Sequence, residues 1–228
     1  EQVVAALDGG LVTNALNIPI VGAEDLELLG PYIPLAARLG RLAVELAGGH
    51  PRRIALQYNG AIAAHDTRLL TVAALNGAFQ GRVEQSVNYV NAPVIAAERG
   101  IEVTEERASA ARDYLNLVTV RVDDVEVSGT TLGPEHRHFL AGALGFAIDL
   151  QLSPRMVFFR YDDVPGVIGR VGTMFGEAGV NIANMAVSRT KEGGKALMVL
   201  AIDSEPPLEL QERIRGEGFD DARVIQLG

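Results

Sequence analysis

The 228 residues contain no cysteine and no tryptophan, and only 5% of them are aromatic. Without a thiol the chain can form no disulfide, thiolate nucleophile, cysteine-ligated zinc site or iron–sulfur centre. A reducing cytoplasm is the expected compartment. Basic residues are also scarce, 20 against 29 acidic ones for a formal charge of −9, so no nucleic-acid or anionic-membrane partner held by general attraction is expected. No run approaches 18 continuous apolar residues, and the opening EQVVAALDGG has no basic segment ahead of a long apolar core, so neither a membrane span nor a secretory signal is expected. The sequence opens on Glu1 without an initiator methionine and reads as a chain cut from something longer. Neither GxGxxG nor GxxxxGK[ST] occurs. Gly166, Gly169 and Gly172 follow one another at three-residue steps on a predicted helix, a spacing that suits close packing rather than a nucleotide.

What is present is a folded composition, 48% hydrophobic and 21% charged, enough for one or two globular cores. Residues 1–20 read as the tail of an upstream unit: Gln2 to Leu7 is helical in pattern, Gly9 and Gly10 stop it, and VTNALNIPIV runs extended. A long helical stretch from about Glu24 to Leu46 is broken or kinked near Pro31 and Pro34, where the leucine phase shifts. A strand from Arg53 to Tyr58, a helix from Thr67 to Phe79, helical segments at VNAPVIAAERG and Glu105 to Leu115, and a hairpin turning near Asp123 and Asp124 complete an α/β domain over 21–152. Residues 153–228 read β-α-β-β-α-β, a ferredoxin-like α+β unit with helices on one face of a four-stranded antiparallel sheet. Val157, Phe159, Met185, Val187, Met198 and Leu200 give its strands apolar positions, and the face away from the helices is expected to need a partner, by pairing of sheets or edges between chains.

The local feature with most chemistry is the turn YDDVPG, Tyr161 to Gly166, between a strand and a helix start, with Asn181 opening the next strand. Pro165 suits a first helical turn and Gly166 permits close backbone approach. The free N–H groups of the helix start can then hold a carboxylate. Asp162 and Asp163 attract an ammonium, Asn181 donates and accepts, and a ferredoxin-like order is expected to bring these together around a zwitterion such as an amino acid. The plainer alternative makes Asp163 a helix cap and Asn181 a turn residue. His136 and His138, two apart on an expected helix, point to different faces with no third ligand in sight, so no metal site is expected. His50 and His65 are isolated, no serine stands in a nucleophile-elbow context, and Arg52, Arg53, Arg68 and Arg82 read as scattered surface charge before they read as an anion site.

The stretch YDDVPGVIGRVGTMFGEAGVNIANM resembles the ACT domain, a small ligand-responsive module of amino-acid metabolism. With GPYIPLAARLGRLAVELAGG and IALQYNG, the whole chain is similar to the C-terminal part of long-form D-3-phosphoglycerate dehydrogenase: an upstream tail in 1–20, an intervening, allosteric-substrate-binding-like domain in 21–152 and an ACT domain in 153–228. The resemblance implies a parent that oxidises 3-phosphoglycerate with NAD in the first step of L-serine synthesis, a cytoplasmic homo-oligomer joined through ACT domains, and feedback inhibition by L-serine. It places the effector on Tyr161, Asp163, Pro165, Gly166, Asn181 and Ile182, shared across an ACT dimer. The dinucleotide fingerprint and catalytic residues of such a parent would lie upstream, so this polypeptide carries no catalytic residue and no cofactor site of its own. In LGFAIDLQL, Leu144 to Leu152, the chain lacks the Arg-His pair with which some members bind a phosphorylated effector. Two other readings stand beside this one: a beta-type chain of iron–sulfur L-serine dehydratase, against which VGAEDLELLG lacks the Pro-Ser-Ser-Ser-His run, and an oligomerisation module that binds nothing.

Overall fold

The computed structural model describes residues 23–111 and 113–227, with side chains from Asp25 onward. By its internal contacts the chain divides into two compact units between His138 and Phe139.

The first unit opens with α1 (Ala23–Leu29) and α2 (Tyr32–Leu46). The expected break falls at Pro31, which lacks the N–H a continuous helix would need, while Pro34 is accommodated in the first turn of α2. Strand β1 (Arg53–Gly60), α3 (Arg68–Phe79) and α4 (Ala92–Glu98) follow. Helices α2 and α3 cross so closely that a Cβ at Gly40 would lie 2.0 Å from the Ala74 carbonyl oxygen, and one at Gly77 would lie 1.9 Å from that of Ala37. Only hydrogen fits at either position. Leu35, Leu39, Leu42 and Leu70 of these helices are buried, as are the inward residues Ile54, Leu56 and Tyr58 of β1, which alternate with half-exposed neighbours at the period of a strand with one buried face.

The segment expected as a helix from Glu105 to Leu115 begins instead within β2 (Glu102–Ala108), paired parallel to β1. Its period of two decides this: Val103 and Glu105 are half-buried while Glu102, Thr104 and Glu106 are exposed. The inward Glu105 is satisfied by hydroxyl donors at the start of α3, the N-cap Thr67 at 2.5 Å and Thr71 at 2.6 Å. The hairpin forms as expected from β3 (Asn116–Val122) and β4 (Val125–Leu132), with Asp123 in the left-handed region at the turn. Strand order in this unit is β2-β1-β3-β4. Buried Asn116 ties it together, accepting from the Ile62 N–H at 3.0 Å and donating to the Tyr32 hydroxyl at 2.9 Å.

The division of the chain falls within β5 (Arg137–Ala143), which turns through Leu144 and Gly145, both at positive φ, into β6 (Phe146–Gln151). His136 and His138 are therefore on a turn and a strand, not on the expected helix. A tight two-residue turn with alternating Phe146, Ile148 and Leu150 buried on β6 outweighs the helical look of the composition.

Beyond the hairpin lie β7 (Arg155–Asp162), α5 (Val167–Glu177), β8 (Ile182–Arg189), β9 (Lys195–Ile202), α6 (Leu208–Gly216) and β10 (Asp221–Gln226). The sheet order is β10-β7-β9-β8, all antiparallel pairs, the ferredoxin-like arrangement expected. Val157, Phe159, Met198 and Leu200 face α5 and α6, packing on Val171, Phe175, Leu210 and Ile214. These apolar strand positions form the helix-covered core. Met156, Phe158, Leu197 and Val199, one residue out of phase, form the opposite face. They too are buried, and β6 packs against β8 and β9 within the unit. The sheet ends in two edge strands, β8 and β10, each with a single hydrogen-bonded neighbour.

Candidate functional site

A hollow of about 460 Å³ opens where β7 hands over to α5, lined by Tyr161, Asp163, Pro165, Gly166 and Ile168 on that side and by Val187, Arg189 and Glu192 on the other. The sequence dictates its shape. Gly166 is the N-cap of α5 with φ +90°, a backbone conformation that a β-carbon strains, and no side chain caps the helix. Pro165 lies just outside the helix rather than in its first turn. The first N–H groups of α5 thus start without a side-chain acceptor beside the hollow, carrying the partial positive charge of the helix start.

Asp163 does not cap that helix. Its N–H donates to the Gly194 carbonyl at 2.8 Å, and its carboxylate Oδ2 accepts from Arg189 Nη1 at 3.1 Å. This disposes of the capping alternative. Asp162, expected to help draw an ammonium, is turned away into an ion pair with Lys195 at 2.7 Å, and Lys195 also reaches Asp220 at 2.7 Å. Tyr161 belongs to the core and to the hollow at once. It is 4% exposed and stands edge-on to Phe219, yet lines the opening, and burial followed by the Asp163 charge pushes its phenol above its ordinary range.

Asn181 and Ile182 lie elsewhere. Asn181 precedes β8 while Arg189 ends it, so the strand's length of roughly 25 Å separates Asn181 from the hollow. There Asn181 Nδ2 donates to Asp203 Oδ2 at 2.6 Å, joining the end of β9 instead of a turn. The expectation that Asn181 approaches Tyr161 and Asp163 within one chain is therefore overturned. Strands β7 and β8 both pair antiparallel to the β9 between them, so they run the same way, and the start of one cannot meet the end of the other. Arg189 and Glu192 were not anticipated. The position of Arg189 as the last strand residue before the TKEGG turn, level with the end of β7, was the available signal.

The arginines of the first unit do not converge. Arg53 pairs with Glu102 at 2.8 Å, Arg82 with Glu45 at 2.7 Å and Arg68 with Asp66, while the N–H groups of Arg52 and Arg53 hold Asp123. His65 contacts Asp25 at 2.5 Å and half-buried His138 contacts Arg38 at 3.5 Å. Among the described residues no group of three or more His, Asp and Glu side chains gathers as a metal site, and no helix is long and apolar enough to cross a membrane.

A model of the D-3-phosphoglycerate dehydrogenase intervening domain matches residues 28–140, and one of the ACT domain matches 155–219. The chain belongs to the D-3-phosphoglycerate dehydrogenase family as an intervening domain joined to an ACT domain. Over its whole length it is 33% identical to the D-3-phosphoglycerate dehydrogenase of Archaeoglobus fulgidus and 34% identical to that of Synechocystis, covering 44% and 42% of those proteins. With the Bacillus subtilis D-3-phosphoglycerate dehydrogenase it shares 34% identity over 89% of the chain and 39% of the relative. The chain spans about two fifths of the length of these relatives. The hollow at Gly166 lies within the residues matched by the ACT domain model.

Proposed function

We propose that this chain is the regulatory region of an NAD-dependent D-3-phosphoglycerate dehydrogenase, and that two copies of its ACT domain bind L-serine between them for feedback inhibition of serine synthesis. On this reading 1–20 ends a catalytic region, 21–152 is the intervening domain and 153–228 the ACT domain, in a cytoplasmic homo-oligomer. NAD and hydride chemistry belong to the part of the relatives that this chain does not span.

The observation that carries the reading is the open edge of β8. If two β8 strands pair antiparallel about a two-fold axis centred on Met185, residue i meets residue j where i + j = 370, so Asn181 of one copy stands opposite Arg189 of the other (181 + 189 = 370). The amide and Ile182 at the start of one strand then complete the hollow at the end of its twin. Two half-sites separated in one chain become two whole sites in a dimer. Val187 on this edge and Ile168 on α5 across the hollow, 41% and 52% exposed, supply apolar surface. The chemistry suits a small zwitterion. Asp163 faces the ammonium, the uncapped start of α5 and Arg189 face the carboxylate, and the Asn181 amide is able to bond a hydroxyl.

Serine occupancy would act by binding one arrangement of paired domains more tightly than another, with a coupling of about 1–3 kcal/mol. Titration calorimetry of the chain with L-serine is expected to show saturable binding that Asp163→Ala and Asn181→Ala each abolish. Full affinity in both variants refutes the site. An oligomer whose sedimentation is the same with and without serine, and which takes up none, supports a bare assembly module instead.

A further inference from the structure

We infer that Arg189 is the specificity-determining residue of this hollow, the one that reads the α-carboxylate of the effector; the inference rests on the serine-site reading above. The charge balance of the hollow points to it. Its acidic side chains are Asp163 and Glu192, and its basic side chain is Arg189. An amino acid's ammonium is welcome there. Its carboxylate, entering the same small volume, meets two like charges and needs an opposing one within a few ångströms. The start of α5 offers partial charge, and Arg189 offers a full one.

Geometry places the guanidinium correctly. Arg189 ends β8 level with Tyr161, because both residues pair with Ala196 of β9, which lies between them, and Asp163 follows two residues beyond Tyr161. Its Nη1 already touches Asp163 Oδ2, while the side chain as a whole stays 57% exposed and lines the hollow. A guanidinium has five N–H donors and can hold Asp163 with one while presenting a forked pair to a second carboxylate. The ligand's ammonium then lies against Asp163 and its carboxylate against Arg189, giving an alternating row of charges. With Arg189 removed, both acids face the carboxylate unopposed.

The test compares L-serine with L-serinamide, which keeps the ammonium and hydroxyl but lacks the carboxylate charge, by calorimetry on the unaltered chain, Arg189→Met and Arg189→Lys. The unaltered chain is expected to prefer serine over serinamide by about tenfold or more. Arg189→Met is expected to lose serine affinity by a similar factor while serinamide binds as before, so the preference disappears. Arg189→Lys retains part of it. Thermal melting close to that of the unaltered chain shows that Arg189→Met still folds. Tighter serine binding in Arg189→Met would mean that the arginine merely competes for Asp163, and an equal loss for both ligands would mean that it supports the fold; either overturns the assignment. Absence of serine binding in the unaltered chain sinks the serine site itself. Retained serine binding with an unchanged preference in Arg189→Met sinks the role of Arg189 alone.

Discussion

Strand β2 is an edge of one sheet and β8 an edge of the other, and these two edges are built for opposite purposes. Strand β2 of the first unit carries Glu102, Glu105 and Glu106 within seven residues, a density of like charge that discourages pairing with another copy. Strand β8 of the ACT unit carries Ile182, Met185 and Val187 and no acidic residue. One edge is guarded and the other is available. Assembly information thus sits in the charge of these edges, since the apolar residues of the central strands β7 and β9 are buried on both faces of the sheet.

The first unit is also closed in its interior, and the sharpest way to break the comparison is to open it. Gly77→Val forces side-chain atoms into the Ala37 backbone and is expected to destabilise the first unit by about 3 kcal/mol or more, read as a lost or early transition in chemical denaturation. Making the open edge resemble the guarded one comes next. Val187→Glu is expected to leave the chain monomeric in sedimentation at concentrations where the unaltered chain is dimeric, with a fall in dimer affinity of about a hundredfold. A smaller effect attends Asn116→Ala, which strands the Ile62 N–H and removes a partner of the Tyr32 hydroxyl. It should cost about 1–3 kcal/mol of folding stability by denaturant titration and leave ligand binding at the ACT hollow unchanged.

The smallest expected effect is electrostatic. Burial, followed by the charge of Arg38, holds His138 below its ordinary range. The unfolded chain therefore takes up a proton that the folded chain resists. Stability is fully present above the unfolded value of about 6.5 and declines as pH falls from there toward the lower folded value. His138→Gln should flatten that part of the acid limb in melting experiments, while a limb of unchanged slope would show that this histidine does not contribute to it.

Much of this was legible in the residues. The ACT order could be read because each element carries its own punctuation: Gly166 before α5, Gly179 after it, TKEGG between β8 and β9, and Pro206 and Pro207 before α6. In the first unit β2 was misread because its acidic residues have good helix propensity, and its strand identity depends on pairing with β1, a tertiary fact. Leu144 at φ +54° in the β5–β6 turn hides a hairpin that an Asn-Gly pair would have announced. At the site, Tyr161, Asp163 and Gly166 declared themselves by lying in one turn. The error about Asn181 was one of strand direction, and Arg189 went unnoticed because its importance arises from register, which no local pattern encodes.

The central claim is that one binding site draws residues from two chains, and mixing two defective variants tests it most directly. Asp163→Ala and Asn181→Ala each damage both sites of a symmetric dimer; a mixed dimer concentrates both lesions in one site and leaves the other whole. Equal amounts of the two variants, exchanged to equilibrium and titrated with L-serine, are expected to recover binding at roughly a quarter of all sites, since about half of the dimers are mixed and each has one intact site of two. If the mixture binds no more serine than either variant alone, the two residues do not meet across a dimer and the account is contradicted.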